Sequence, residues 1–175
     1  AMAQIWASAD QDVDIGALYA ESLMLLQPWD YWTPDYEPVE RAEEIVALLE
    51  TCMELSPRHP GAHHFYIHMV ESSGKAERGI PSADLLGKLM PGSGHLVHMP
   101  SHIDAWVGQW KEGVECNMAA VAADGATLFF SQFQEASSGN NKYYQVRAPA
   151  HAAHACARAR GLQRTRSDGL YERAL

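Results

Sequence analysis

His98-Met99-Pro100-Ser101-His102-Ile103-Asp104-Ala105-Trp106-Val107-Gly108-Gln109-Trp110-Lys111-Glu112-Gly113 decides the fold, because it restates an earlier segment at a fixed distance. Setting residues 94–127 on residues 60–93 without gaps superposes four identical pairs: Gly74 on Gly108, Gly79 on Gly113, His64 on His98 and His68 on His102. The offset is 34 residues, the length of one helix-turn-helix repeat. In both copies the first glycine separates two amphipathic stretches, where a helix hairpin turns and a positive φ is tolerated. Small or apolar residues then recur at helical spacing. They are Gly79, Ala83 and Leu86, closed by Pro91, in the first copy, and Gly113, Asn117 and Ala120, closed by Gly125, in the second. Small residues at those positions let two helices approach closely.

One period upstream, residues 39–55 carry Ile45, Leu49 and Cys52 on one helical face and stop at Pro57. The partner helix is expected over residues 12–26, capped by Asp12. Between the two lies an aromatic segment, 27–37, too long for a tight hairpin turn and containing Trp29, Tyr31 and Trp32. It reads as a lid on the edge of the core. Downstream the period breaks: Phe129, Phe130 and Phe133 precede a Ser-Ser-Gly-Asn-Asn loop signal. A last pair of helices is expected around a hinge at Gly161. Strand signals are scarce throughout, so the expected class is all-α. The chain, 1–175, reads as one domain of about 3.5–4 hairpins, at roughly 12–57, 60–93, 94–127 and 142–175. The abrupt ending suggests a piece of a longer array that self-associates through its terminal helices.

Bulk properties narrow the function. A net charge of −9 argues against nucleic acid or an anionic membrane as partner. No apolar run approaches the roughly 18 residues of a membrane span, and no secretory signal is visible. The three cysteines, Cys52, Cys116 and Cys156, are far apart and form no C-x-x-C pair. They read as free thiols in a reducing, cytoplasmic setting. The opening Ala1-Met2-Ala3 resembles the remnant of a trimmed tag.

Chemistry concentrates in the histidines. His64 and His68 are four residues apart, as are His98 and His102. Such pairs stack on one helix face, with Cβ atoms about 5–6 Å apart, and can chelate one ion. Neighbouring helices pack with axes about 8–10 Å apart, so two pairs can address a common volume. Glu71 shares the face of His68, as a ligand or as an acceptor for an imidazole N–H. Imidazole-rich sites suit zinc, copper or iron rather than calcium or magnesium. Pro100 complicates the second pair, since an interior proline either kinks the helix or starts it. His59, His63 and His154 read as polar packing residues. No G-x-S-x-G, no Cys/His pair and no phosphate loop is present, so enzymatic activity stays open.

Val107-Gly108-Gln109-Trp110-Lys111-Glu112-Gly113 resembles the Leu-Gly-x-Tyr-x-x-Ala turn of tetratricopeptide-repeat (TPR) units. That resemblance implies a right-handed superhelical array of antiparallel hairpins. The second, fifth, ninth and twelfth residues of each unit would then face its concave groove. Those stations hold Gly61, His64, His68 and Glu71 in one unit and His95, His98, His102 and Ala105 in the next. In the last unit Ala148, His151 and Ala155 take the equivalent places.

Two longer strings carry a closer likeness: His59-Pro60-Gly61-Ala62-His63-His64-Phe65-Tyr66-Ile67-His68, and Gly94-His95-Leu96-Val97-His98-Met99-Pro100-Ser101-His102-Ile103. They are similar to H-P-G-A-N-H-Y-Y-I-H and G-H-L-V-H-M-P-[AS]-H-I-Y in a bacterial group of TPR-domain proteins. Residues 18–24 and 28–33 also look like that group's upstream segment. The likeness spans most of residues 13–125 and brings no settled reaction with it. Two departures stand out. Ala148-Pro149-Ala150-His151 replaces the group's H-N-x-H string, and Asp104 stands in place of a tyrosine.

The expectation is therefore a histidine-lined groove binding a transition metal through His64, His68, His98 and His102, with Glu71, His95 and His151 as further candidates. A small ligand or peptide would join the metal, beside Tyr66, Trp106 and Glu21, with Glu71 or Glu21 as the nearest base. The alternative is an adaptor that binds a partner peptide in the same groove without metal.

Overall fold

The computed structural model describes the backbone of residues 1–135 and the side chains of residues 1–125. The expected hairpin at 142–175, with His151, His154 and Cys156, lies outside the described residues. Within them the protein is all-α: α1 (Met2–Ser8), α2 (Val13–Met24), α3 (Ala42–Leu55), α4 (Pro60–Val70), α5 (Ile80–Leu89), α6 (Gly94–His98), α7 (Pro100–Val107) and α8 (Trp110–Glu135). The only β feature among these residues is an isolated bridge between Trp32 and Pro38. No described helix is long and apolar enough to cross a membrane.

Local chemistry sets the boundaries. The Asp12 carboxylate accepts the Ile15 amide and caps α2. His59 caps α4, its Nδ1 accepting the Ala62 amide at 3.0 Å, while Pro60 supplies a pre-set φ in the first turn. That leaves the Nε2–H of His59 to donate to Asp14 at 2.7 Å, tying α4 to the start of α2. Gly108 ends α7 in the left-handed conformation (φ 79°), and Gly74 turns the preceding hairpin at φ 72°.

The two glycines matched by the repeat thus do the same conformational job twice. Consecutive helices pack on one another, α2 on α3, α3 on α4, α4 on α5 and α7 on α8. The leading helices also meet directly, α2 with α4 and α4 with α7.

The core runs through these contacts. Leu49, Ile67, Met69, Leu86, Met99 and Ile103 are fully buried, each worth about 1.5–3 kcal/mol of transfer free energy. Gly79 lies at the junction of α4, α5 and α7. A Cβ there would meet Ile103 Cδ1 at 2.5 Å and Val70 Cγ2 at 3.1 Å. Its missing side chain sets how closely α4 and α7 approach.

Residues 2–8, for which no helix was expected, form α1, packed on α2, with Trp6 against the core. Gly125 does not close the second helix of its unit, because α8 runs through it to Glu135. A glycine inside a helix costs only about 1 kcal/mol, so it ends a helix only where the chain has a turn to make.

Pro100 interrupts the chain in both of the expected ways. It opens α7, yet Met99 keeps helical angles (φ −52°, ψ −37°), so α6 and α7 continue one another through a break. The His102 amide bonds to Met99 O, one residue short of the α-helical partner.

Candidate metal centre

His64 and His68 on α4 and Glu71 at its C-cap follow one face, and His95, His98 and His102 follow one face of the broken helix α6–α7. The α4–α7 contact brings the two faces together. Five imidazoles form a chain of near neighbours. Ring centroids are 4.9 Å apart for His95–His64, 5.0 Å for His64–His68, 5.2 Å for His68–His102 and 4.8 Å for His102–His98. His98 returns to within 6.4 Å of His95, closing a loop of rings. The break at Pro100 leaves the second pair intact, with His98 Nε2 and His102 Nε2 at 3.0 Å.

Glu71 organises the cluster. Its Oε2 lies 2.6 Å from His102 Nδ1 and its Oε1 3.0 Å from His68 Nδ1. Burial opposes ionisation of Glu71, but the hydrogen bonds from His102 and His68 win and hold its carboxyl down at about 2. The carboxylate is therefore acceptor-only, and both Nδ1 atoms must carry the hydrogen.

Asn117 does the same for His98. Its amide Nδ2 donates to Gly113 O at 2.7 Å, which turns Oδ1 toward His98 Nδ1, 2.7 Å away. Three imidazoles are thus held as Nδ1–H tautomers with the Nε2 lone pair free, the arrangement that orients metal-binding histidines.

The electrostatics disfavour protonation of two of these rings. Burial, reinforced by the neighbouring imidazoles, pushes His64 down to about 3. Burial also pushes His98 down to about 4, with the Asn117 bond opposing and His102, His95 and His68 adding to it. His98 Nε2 and His102 Nε2 face each other at 3.0 Å on rings whose Nδ1 atoms carry their hydrogens, so the two lone pairs repel unless a cation lies between them. The donor atoms of His64, His68 and His95 lie within 4.8 Å of one another, as do those of His68, Glu71 and His102. These histidine clusters are spaced to hold a metal ion.

The remaining expected residues fall elsewhere. Tyr66 is buried and its hydroxyl donates to Glu50 on α3 at 2.8 Å. Burial and that bond push it up to about 12. Trp106 is exposed on α7, and Glu21 on α2 takes no part in the hydrogen bonds of the cluster. Cys116 sits near the His98 carbonyl, but burial and the Asp104 charge push its thiol up to about 11, so it stays protonated. His63 is a packing residue, its Nε2 donating to Pro57 O and its Nδ1 accepting from Ser82. Asp104, which departs from the resembled pattern, is buried, and desolvation together with Glu112 and Asp84 pushes its carboxyl up to about 6.

Two contributors carry no repeat signal in the sequence. Asn117 stands in the sequence among small inward residues, although a polar side chain in register with Ala83 marks a buried partner requirement. Trp29 belongs by sequence to the aromatic segment expected as a lid. Tyr31 and Trp32 do seal the core edge, Trp32 Nε1 donating to Met69 O at 2.6 Å. Trp29 instead is 73% exposed and sets its ring edge-on to His68 at 5.3 Å.

No family model, no curated protein and no solved structure matches this chain.

Proposed function

We propose that the chain is a TPR-like, right-handed superhelical array whose histidine face binds a transition metal ion and presents it to a small ligand or peptide. The observation behind this reading is Glu71 holding one imidazole from each of two helices by Nδ1, which frees both Nε2 atoms for a metal. Imidazole donors without an ionised thiolate favour zinc, copper or iron. An ion here with a position left to solvent would polarise a bound water or ligand, and exposed His95 marks the open side. The repeat offset and the line of contacts from α2 to α4 to α7 support the array.

Thermal unfolding of chelator-treated full chain, with and without added Zn(II), tests the reading. A ligand that binds only the folded state raises the melting temperature by mass action. The proposal expects a rise of several degrees that EDTA reverses. An unchanged melting temperature with zinc, copper and iron would contradict it.

A metal-free adaptor is the second reading. It draws on Trp106 and Met118, exposed at 56% and 60% on successive helices, and predicts peptide binding indifferent to EDTA.

A further inference from the structure

The donors do not gather around one point. They fall into two sets, His64/His68/His95 and His68/Glu71/His102, which share only His68. No set of four forms among the described residues.

The first set contains one close nitrogen pair, and a second pair joins His102 of the other set to His98 outside it. His64 Nε2 and His95 Nε2 are 3.0 Å apart, and so are His98 Nε2 and His102 Nε2. Metal–imidazole bonds of about 2.0–2.1 Å place two ligands of one ion about 3 Å apart. Each pair therefore has the bite of its own ion. Glu71 bridges the two halves: one oxygen takes the Nδ1–H of His68, the other the Nδ1–H of His102.

From this geometry we infer that the site is binuclear, holding two divalent transition-metal ions side by side. This rests on the metal-binding reading above. The first ion takes Nε2 of His64, His68 and His95. The second takes Nε2 of His98 and His102, with its remaining positions left to solvent or ligand. Glu71 orients one ligand of each ion.

Five neutral imidazoles and one carboxylate leave two divalent ions with a large positive excess. The ligand class that fits is an oxygen anion bridging the ions, such as hydroxide, carboxylate or phosphate, as in other two-metal sites.

The test is a Zn(II) titration of the metal-free full chain against a chromophoric chelator, paired with Cu(II) electron paramagnetic resonance. Two equivalents per chain are expected, with one retained in His64→Ala/His95→Ala and one in His98→Ala/His102→Ala. Cu(II)-loaded parent protein should give a spin-coupled signal, with fewer detectable spins than copper atoms, whatever the folding of the variants. A single equivalent with an isolated-copper spectrum overturns the binuclear assignment and leaves the metal-binding reading standing. No bound metal overturns both.

Discussion

Glu71 and Asn117 show how much of this site is decided by single hydrogen bonds. Glu71 accepts from two imidazoles, so Glu71→Gln keeps its shape but turns one acceptor into a donor facing an N–H. Loss of an orienting partner of this kind lowers metal affinity by about 10–100-fold. A Zn(II) competition titration of the variant should read a drop in that range with an unchanged helical circular dichroism spectrum; parental affinity would show that Glu71 is not orienting the ligands.

The histidines themselves were legible, because recurrence at i, i+4 across the 34-residue offset is a pattern in the sequence. Their tautomers were legible only in part: Glu71 reads as an acceptor for an imidazole N–H beside His68, but its bond to His102 and the role of Asn117 do not show in the sequence. The partners that fix them, Glu71 and Asn117, are separated from the second histidine pair by 31 residues (His102–Glu71) and 19 residues (His98–Asn117). His59 and His63 carried no such periodicity, and both serve packing roles.

At the scale of helices the glycines set the geometry, and they test it. Gly74→Ala forces a Cβ onto the Tyr36 ring at 2.6 Å from a left-handed backbone. Gly79→Ala forces one onto Ile103 between α4 and α7. Overpacking typically costs about 1–3 kcal/mol, and the left-handed conformation adds about 1–2 kcal/mol for an L-residue. Urea unfolding should find both variants destabilised, Gly74→Ala the more so, and Gly79→Ala should also weaken zinc binding by shifting the α4–α7 spacing. Equal zinc affinity in Gly79→Ala would separate that spacing from the site.

The hairpin glycines were readable because identical residues recurred where a turn was due. The run of α8 through Gly125 was not, since glycine signals a stop only in company with a turn that the sequence does not specify. The break at Pro100 was legible as a break. Its outcome depended on Met99 staying helical while buried in the core, a matter of packing.

For the whole molecule the half-buried His64 and His98 predict an acid-labile metal-free fold. His64 and His98 are held below their usual value, at about 3 and about 4, so the unfolded chain takes up protons that the folded chain refuses as pH falls below 6.5. Glu71, depressed to about 2, adds stability that is complete above 4.5 and is lost as pH falls toward 2. Both effects have the same sign. Because both rings are partly exposed and solvent screens part of these shifts, unfolding free energy of the metal-free protein should fall by about 1–3 kcal/mol between pH 7.5 and pH 5, measured by urea titration; a flat profile would contradict the desolvation of these rings.

The all-α class was legible from dense helix signals and a fixed offset, whereas the meeting of α4 and α7, which makes a cluster from two separate faces, is a property of the packed molecule.

The most direct test of the central claim is elemental analysis of the full chain, loaded with Zn(II) and dialysed, beside His64→Ala/His68→Ala/His102→Ala with its fold checked by circular dichroism. The account predicts bound zinc at about one equivalent per chain or more in the parent and almost none in the variant. Zinc absent from the parent, or equal in both proteins, would contradict it.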